Sequence, residues 1–148
     1  MNNQDELLMQ ITSSLTRVSR AYKTAADKVA SKHGLSQATA WPAVMIHQMG
    51  DKVRPGEVAE ALGLDPSSVV RVIDQLIAAK LLTREEDAND RRAKILTLTE
   101  NGYQRVKQVR QDMLPFRRKL FEEIGTEDLQ TCLEVIQKLG DAIKKVSC

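Results

Sequence analysis

The chain has 148 residues, enough for one core with appended arms, and its 22 Lys and Arg against 20 Asp and Glu leave a formal charge of only +2. Such a balance neither demands nor forbids a polyanionic partner, because the placement of the charge decides. Two cysteines, Cys132 and Cys148, are too few for a disulfide framework or a four-thiolate zinc site, and no apolar run is long enough to span a membrane.

The opening Met1-Asn2-Asn3-Gln4-Asp5-Glu6 is polar and acidic, unlike a secretory signal, so a cytoplasmic chain with reduced thiols and no membrane partner is expected. The first helix is predicted from about Asp5 to Lys32. Leu8, Ile11, Leu15, Val18, Tyr22, Ala25 and Val29 recur at alternating steps of three and four, a narrow stripe suited to helix-on-helix packing. His33-Gly34 should end it, and Ser36 should cap a second helix through Trp41, Pro42, Val44 and Met45.

Pro55 should open a short third helix with Glu57 in its first turn and Gly63 at its close. A fourth helix follows, with Asp65 as its cap and Pro66 as its first residue. Leu81–Glu86 and Ala93–Thr99 read as a hairpin around the polar turn Asp87-Ala88-Asn89-Asp90-Arg91-Arg92. Thr99 should cap a long fifth helix carrying Val106, Val109, Met113, Leu120 and Ile124, bent at Pro115. Thr126 should cap the last helix, whose stripe is Leu129, Cys132, Ile136, Leu139, Ile143 and Val146. Within that stripe Cys132 is expected to be a small buried hydrophobe.

Function concentrates in the third and fourth helices. Val58, Ala59, Leu62, Gly63, Leu64, Val69 and Val72 supply the small contact, the glycine turn and the apolar anchors that two steeply crossing helices need. At about 100° per residue the fourth helix buries Val69, Val72, Ile73 and Leu76 and turns Ser67, Arg71, Asp74 and Ala78 outward, with Ser68 and Val70 at the flanks. Hydroxyls suit phosphates or base edges, Arg71 suits guanine, and Val70 suits a thymine methyl. At the hairpin tip Arg91, Arg92 and Lys94 suit a narrow minor groove. Asp87 and Asp90 are expected to orient an arginine fork there.

Leu35 to Gly102 resembles the MarR family of bacterial regulators, particularly its SlyA-like branch. The resemblance is carried by Asp65 through Leu76, Leu81-Leu82, Asp87 through Ala93, and Leu96-Thr97-Leu98-Thr99 with Gly102; Arg17-Val18-Ser19-Arg20 is also similar. It implies a mostly α chain with a small β-hairpin wing. Residues 1–148 would form one regulator domain, with a winged helix-turn-helix over 35–100 and helical dimerisation arms over 1–33 and 101–148. It implies recognition helices in successive major grooves, wings at the minor groove, and inverted repeats near promoters bound by a repressor or anti-silencer. It further implies release of DNA by small aromatic or phenolic ligands, with Tyr22 and Trp41 the candidate pocket liners.

The terminal stripes themselves, with Leu8, Ile11 and Leu15 at one end and Leu129, Cys132, Ile136, Leu139 and Ile143 at the other, favour a homodimer over packing within one chain. Neither a phosphate-binding glycine loop nor a Gly-x-Ser-x-Gly elbow occurs, and His33 and His47 lack ligand-spaced neighbours. An enzyme, a cofactor and a metal are therefore not expected. The competing class is a winged protein-interaction module that does not read DNA.

Overall fold

A computed structural model describes residues 2–32, 37–50 and 52–148. The expected end of the first helix at His33-Gly34 and the expected cap Ser36 lie outside them. The described elements are α1 (Asn3–Lys32), α2 (Gln37–Met49), α3 (Pro55–Leu62), α4 (Pro66–Ala78), β1 (Leu82–Glu86), β2 (Lys94–Leu98), α5 (Glu100–Leu120) and α6 (Thr126–Val146). The chain divides into two compact units, Met1–Leu114 and Pro115–Cys148, the boundary falling within α5.

The first unit is a mostly helical winged helix-turn-helix. Its core is set by short apolar residues at helical spacing: Val58 from α3, Ile73 and Leu76 from α4, and Leu82 and Leu96 from the hairpin are almost completely enclosed. Each buried Ile or Leu contributes roughly 1.5–3 kcal/mol of transfer free energy, so these few side chains fix how the short elements meet. Val72, expected to share the buried face of α4, is only half covered, because Val69, Ile73 and Leu76 already fill the contact.

Local chemistry sets the helix ends. Arg54 is extended at the start of α3, Pro55 occupies the first helical position, and Glu57 Oε2 accepts the Arg54 N–H at 2.8 Å. Gly63 closes α3 with φ 63°, while its N–H and that of Leu64 bond back to Glu60 and Ala59. The end of α4 uses the same paired bonds with a different residue. Lys80 takes φ 59°, its N–H donates to Ile77 O, and the Leu81 N–H donates to Leu76 O. That second bond turns Leu81 away from the ladder, so β1 begins one residue later than expected.

The hairpin is antiparallel, pairing Leu82 with Leu98, Arg84 with Leu96 and Glu86 with Lys94. Val53 adds a short third rung, exchanging both backbone bonds with Leu96 at 3.1 and 2.7 Å. Thr99 caps α5 as expected, its Oγ1 accepting the Gly102 N–H at 3.0 Å. The same hydroxyl donates to Lys80 O at 2.6 Å, and the Thr99 N–H donates to Leu81 O at 3.0 Å.

In α1, Leu8, Ile11 and Leu15 are 54, 43 and 38% exposed, whereas Tyr22, Ala25 and Val29 are half-buried. The stripe is thus continuous in sequence but covered over only one end.

In the second unit, Ile124 lies beyond the end of α5, contrary to expectation, in a turn where its N–H donates to Phe121 O. Thr126 is the first residue of α6 and not its cap. Gly125 holds the cap position in an extended conformation, and its carbonyl accepts the Leu129 N–H. Along α6, Leu129 and Leu139 are half-buried, while Ile136 and Ile143 are 49 and 56% exposed. Cys132 is exposed on that stripe, so within one chain it is not the buried hydrophobe expected.

Candidate nucleic-acid interface

The outward face of α4 begins at its cap. Asp65 Oδ1 accepts the Ser68 N–H at 2.8 Å and the Ser67 hydroxyl at 2.6 Å, and Oδ2 accepts the Ser68 hydroxyl at 3.0 Å. The two serines singled out for DNA contact therefore commit their protons to Asp65 and present oxygen lone pairs outward. Those bonds, the Ser67 hydroxyl first and then the Ser68 N–H and hydroxyl, lower the Asp65 pKa from 3.8 to about 2.

A pH dependence follows. The stabilisation from ionised Asp65 is complete above about pH 4 and drains away as pH falls towards the folded-state value near 2. Thermal melts between pH 5 and 2.5 should therefore show a steeper acid loss in the wild type than in Asp65→Asn, which keeps a good cap without a titrating group. Equal acid slopes would contradict this role.

One turn further, Val70 is 51% exposed and Arg71 is exposed beside it. Asp74, also outward, pairs with Arg84 of β1 at 3.4 Å. Arg84 was not singled out from the sequence: period two puts it on the same face as buried Leu82, opposite Leu96, yet it is exposed and reaches Asp74.

The wing departs from expectation in its acidic residues. Asp90 Oδ1 accepts the backbone N–H of Arg92 at 3.0 Å, so it shapes the turn and holds no guanidinium fork. Asp87 does hold an arginine, but it is Arg54, with Nη2 to Oδ2 at 3.1 Å. Both results follow from the tight turn: Asp90 N donates to Asp87 O and Ala93 N donates to Asp90 O, which leaves the short aspartates facing backbone. Lys94 is paired across the hairpin with Glu86 at 3.2 Å. Among the described residues, Arg71, Arg91 and Arg92 hold no ion pair, and all three are exposed. Charge neutralisation thus separates the nearby cations into committed Arg54, Arg84 and Lys94 and uncommitted Arg71, Arg91 and Arg92.

Away from this face, a cavity of about 220 Å³ is lined by His47, Tyr103, Val106, Lys107, Arg110 and Gln111. The His47 and Tyr103 rings meet edge to face at 5.7 Å. Neither Tyr22, which is half-buried, nor Trp41, which is 45% exposed, lines it. Among the described residues no three acidic, His or Cys side chains converge to hold a metal ion. No helix there is long and apolar enough to cross a membrane.

A family model described as MarR family matches residues 33–93. Among solved structures, the chain is 26% identical to a MarR-family transcriptional regulator from Rhodococcus sp. RHA1, with a TM-score of 0.77 over 90% of this chain and 94% of that one. It is also 26% identical to CouR from Rhodococcus jostii RHA1, determined with p-coumaroyl-CoA bound, with a TM-score of 0.74 over 87% of this chain and 90% of that one. A mutant MarR from E. coli, complexed with operator DNA, shares the fold at 17% identity, with a TM-score of 0.74 over 94% of this chain and 99% of that one.

Proposed function

We propose that the chain is a transcriptional regulator of the MarR family, which its match to the family model supports, and that it acts in the cytoplasm as a homodimer reading inverted-repeat operators. The observation that carries this reading is the set of uncommitted guanidiniums. Arg71 stands on the outward face of α4, and Arg91 and Arg92 stand on the wing, while Arg54, Arg84 and Lys94 are paired. Arg71 then serves guanine in the major groove, Val70 a thymine methyl, and Ser67 and Ser68 accept from base amino groups. Arg91 and Arg92 serve the minor groove. Lys94 reaches a phosphate by giving up an exposed pair with Glu86, which costs little. The E. coli MarR solved on operator DNA supports this use of the fold.

Dimerisation is supported by the apolar residues that the single chain leaves open, Leu8, Ile11 and Leu15 in α1 and Ile136 and Ile143 in α6. Cys132 lies on the α6 stripe, with Leu129 and Leu139, and would be covered with it. Repression or anti-silencing follows from an operator overlapping a promoter. Release by a small aromatic ligand is supported by the mostly apolar cleft beside His47 and Tyr103, with Lys107 and Arg110 among its lining residues. Its volume is below the roughly 300–1,000 Å³ of drug-sized pockets, which suits a single-ring ligand.

The test is selection of bound duplexes from a random pool, followed by Arg71→Ala on the selected operator. The wild type should select a pseudo-palindrome. Arg71→Ala should lose about 1–3 kcal/mol of discrimination at one base pair per half-site, roughly 5- to 150-fold. Equal wild-type affinity for every duplex would point instead to a protein-interaction module.

A further inference from the structure

We propose that Arg54, which lies outside both the recognition helix and the wing, is a positioning residue for minor-groove reading. It fixes the base of the wing against the helix-turn-helix through Asp87.

The anchorage at each end of the pair supports this role. Arg54 stands on rigid backbone: Val53 exchanges both backbone bonds with Leu96 of β2, the Arg54 N–H is held by Glu57, and its carbonyl accepts from Glu57 and Val58. A long side chain leaving such a fixed point has its reach defined by χ angles alone. At the other end, Asp87 is the first residue beyond β1. Its N–H donates to Ala93 O, its carbonyl accepts from Asp90, and its Oδ1 accepts the Asn89 N–H at 2.9 Å. Only Oδ2 remains, and Arg54 Nη2 takes it at 3.1 Å. The Asp87 side chain is 12% exposed and that of Arg54 is 57% exposed.

These exposures separate two roles. Because solvent screens the guanidinium, the pair adds little to global stability. Its effect is geometric. Asp87 begins the turn that carries Arg91 and Arg92, so a tether on its carboxylate restrains the path of both arginines. Without Arg54, a mostly covered carboxylate loses its cation and can satisfy Oδ2 only by turning towards water, which disturbs the Asn89 bond and the turn with it. The inference rests on the operator-reading function proposed above.

The experiment uses the full-length protein and the duplex selected by the wild type. Affinities are measured for single-base variants at positions facing α4 and at flanking positions facing the wing, for Arg54→Ala, Asp87→Ala, the double variant and Arg54→Lys. Each single alanine variant should lower discrimination at wing-facing positions roughly tenfold, leave that at α4-facing positions unchanged, and keep the melting temperature within a few degrees. The double variant should be no worse than either single one, and Arg54→Lys should recover part of the loss. A uniform loss across positions, with the salt dependence shallower by about one ion, would make Arg54 a phosphate contact and overturn the proposal. Additive losses in the double variant would overturn it as well. A wild type without sequence preference would fail at the selection step, refuting the operator reading itself before any variant is compared.

Discussion

Replacing Gly102 by alanine is expected to destabilise the protein by about 3 kcal/mol, at the upper end of overpacking effects. Gly102 is buried in the first turn of α5, and a Cβ built there runs into the Leu81 carbonyl oxygen and meets Leu98 Cδ2 at 3.0 Å. The leucine side chain has room to adjust, but the carbonyl does not. It is backbone, and it already accepts the Thr99 N–H. Relief therefore requires the start of α5 to lift from the end of α4, with loss of the Thr99 bonds that join them. For a chain of this size the melting temperature should fall by roughly 10 °C. Gly56→Ala is the control, since nothing lies within 4 Å of its added carbon. If both variants melt like the wild type, the close approach at Leu81 is not a constraint.

Removing both wing guanidiniums, Arg91→Ala with Arg92→Ala, is expected to weaken operator binding by about 10- to 100-fold, drawn from charge-assisted bonds of roughly 1.5–3 kcal/mol each less the part already lost to solvent. Neither side chain pairs with another described residue, and the turn below them is built from backbone bonds and Asp90. The wing should consequently keep its shape, and the melting temperature should not move. Titrations at several salt concentrations should give a shallower logarithmic slope. Preference at wing-facing positions should fall while that set by Arg71 persists. An unchanged affinity would remove the wing from the interface and favour a non-DNA role for the fold.

Much of the first unit was legible because its signals are local. Pro55, Gly63, Asp65, Pro66 and Thr99 each act within a few residues of themselves, and the apolar spacing of α4 singles out Val69, Ile73 and Leu76 without a partner in view. Asp87 holds an arginine as expected, but which arginine, and the turn-shaping role of Asp90, were not legible because a sequence displays neighbouring charges and not the backbone donors of a tight turn. In this turn the backbone donors won. The true partner of Asp87 lies 33 residues away, and only the Val53–Leu96 rung explains why Arg54 arrives there. Lys80 was illegible for a different reason: a left-handed helix end ordinarily calls for glycine or asparagine, and here a lysine adopts it. The α6 boundary failed by a single residue, since Thr126 is a good cap by composition while Gly125 holds the position.

The bonds around Thr99 also have a mechanical consequence. One residue takes the start of α5 on its hydroxyl, gives that hydroxyl's proton to the last turn of the recognition segment, and ties its own amide to the residue preceding the wing. Three elements are therefore joined at one residue, and the close approach of Gly102 to the Leu81 carbonyl and to Leu98 leaves that joint little slack. An angular displacement of the first turns of α5 would accordingly carry the end of α4 and the start of the wing with it. A reading head built this way would be re-aimed as one piece.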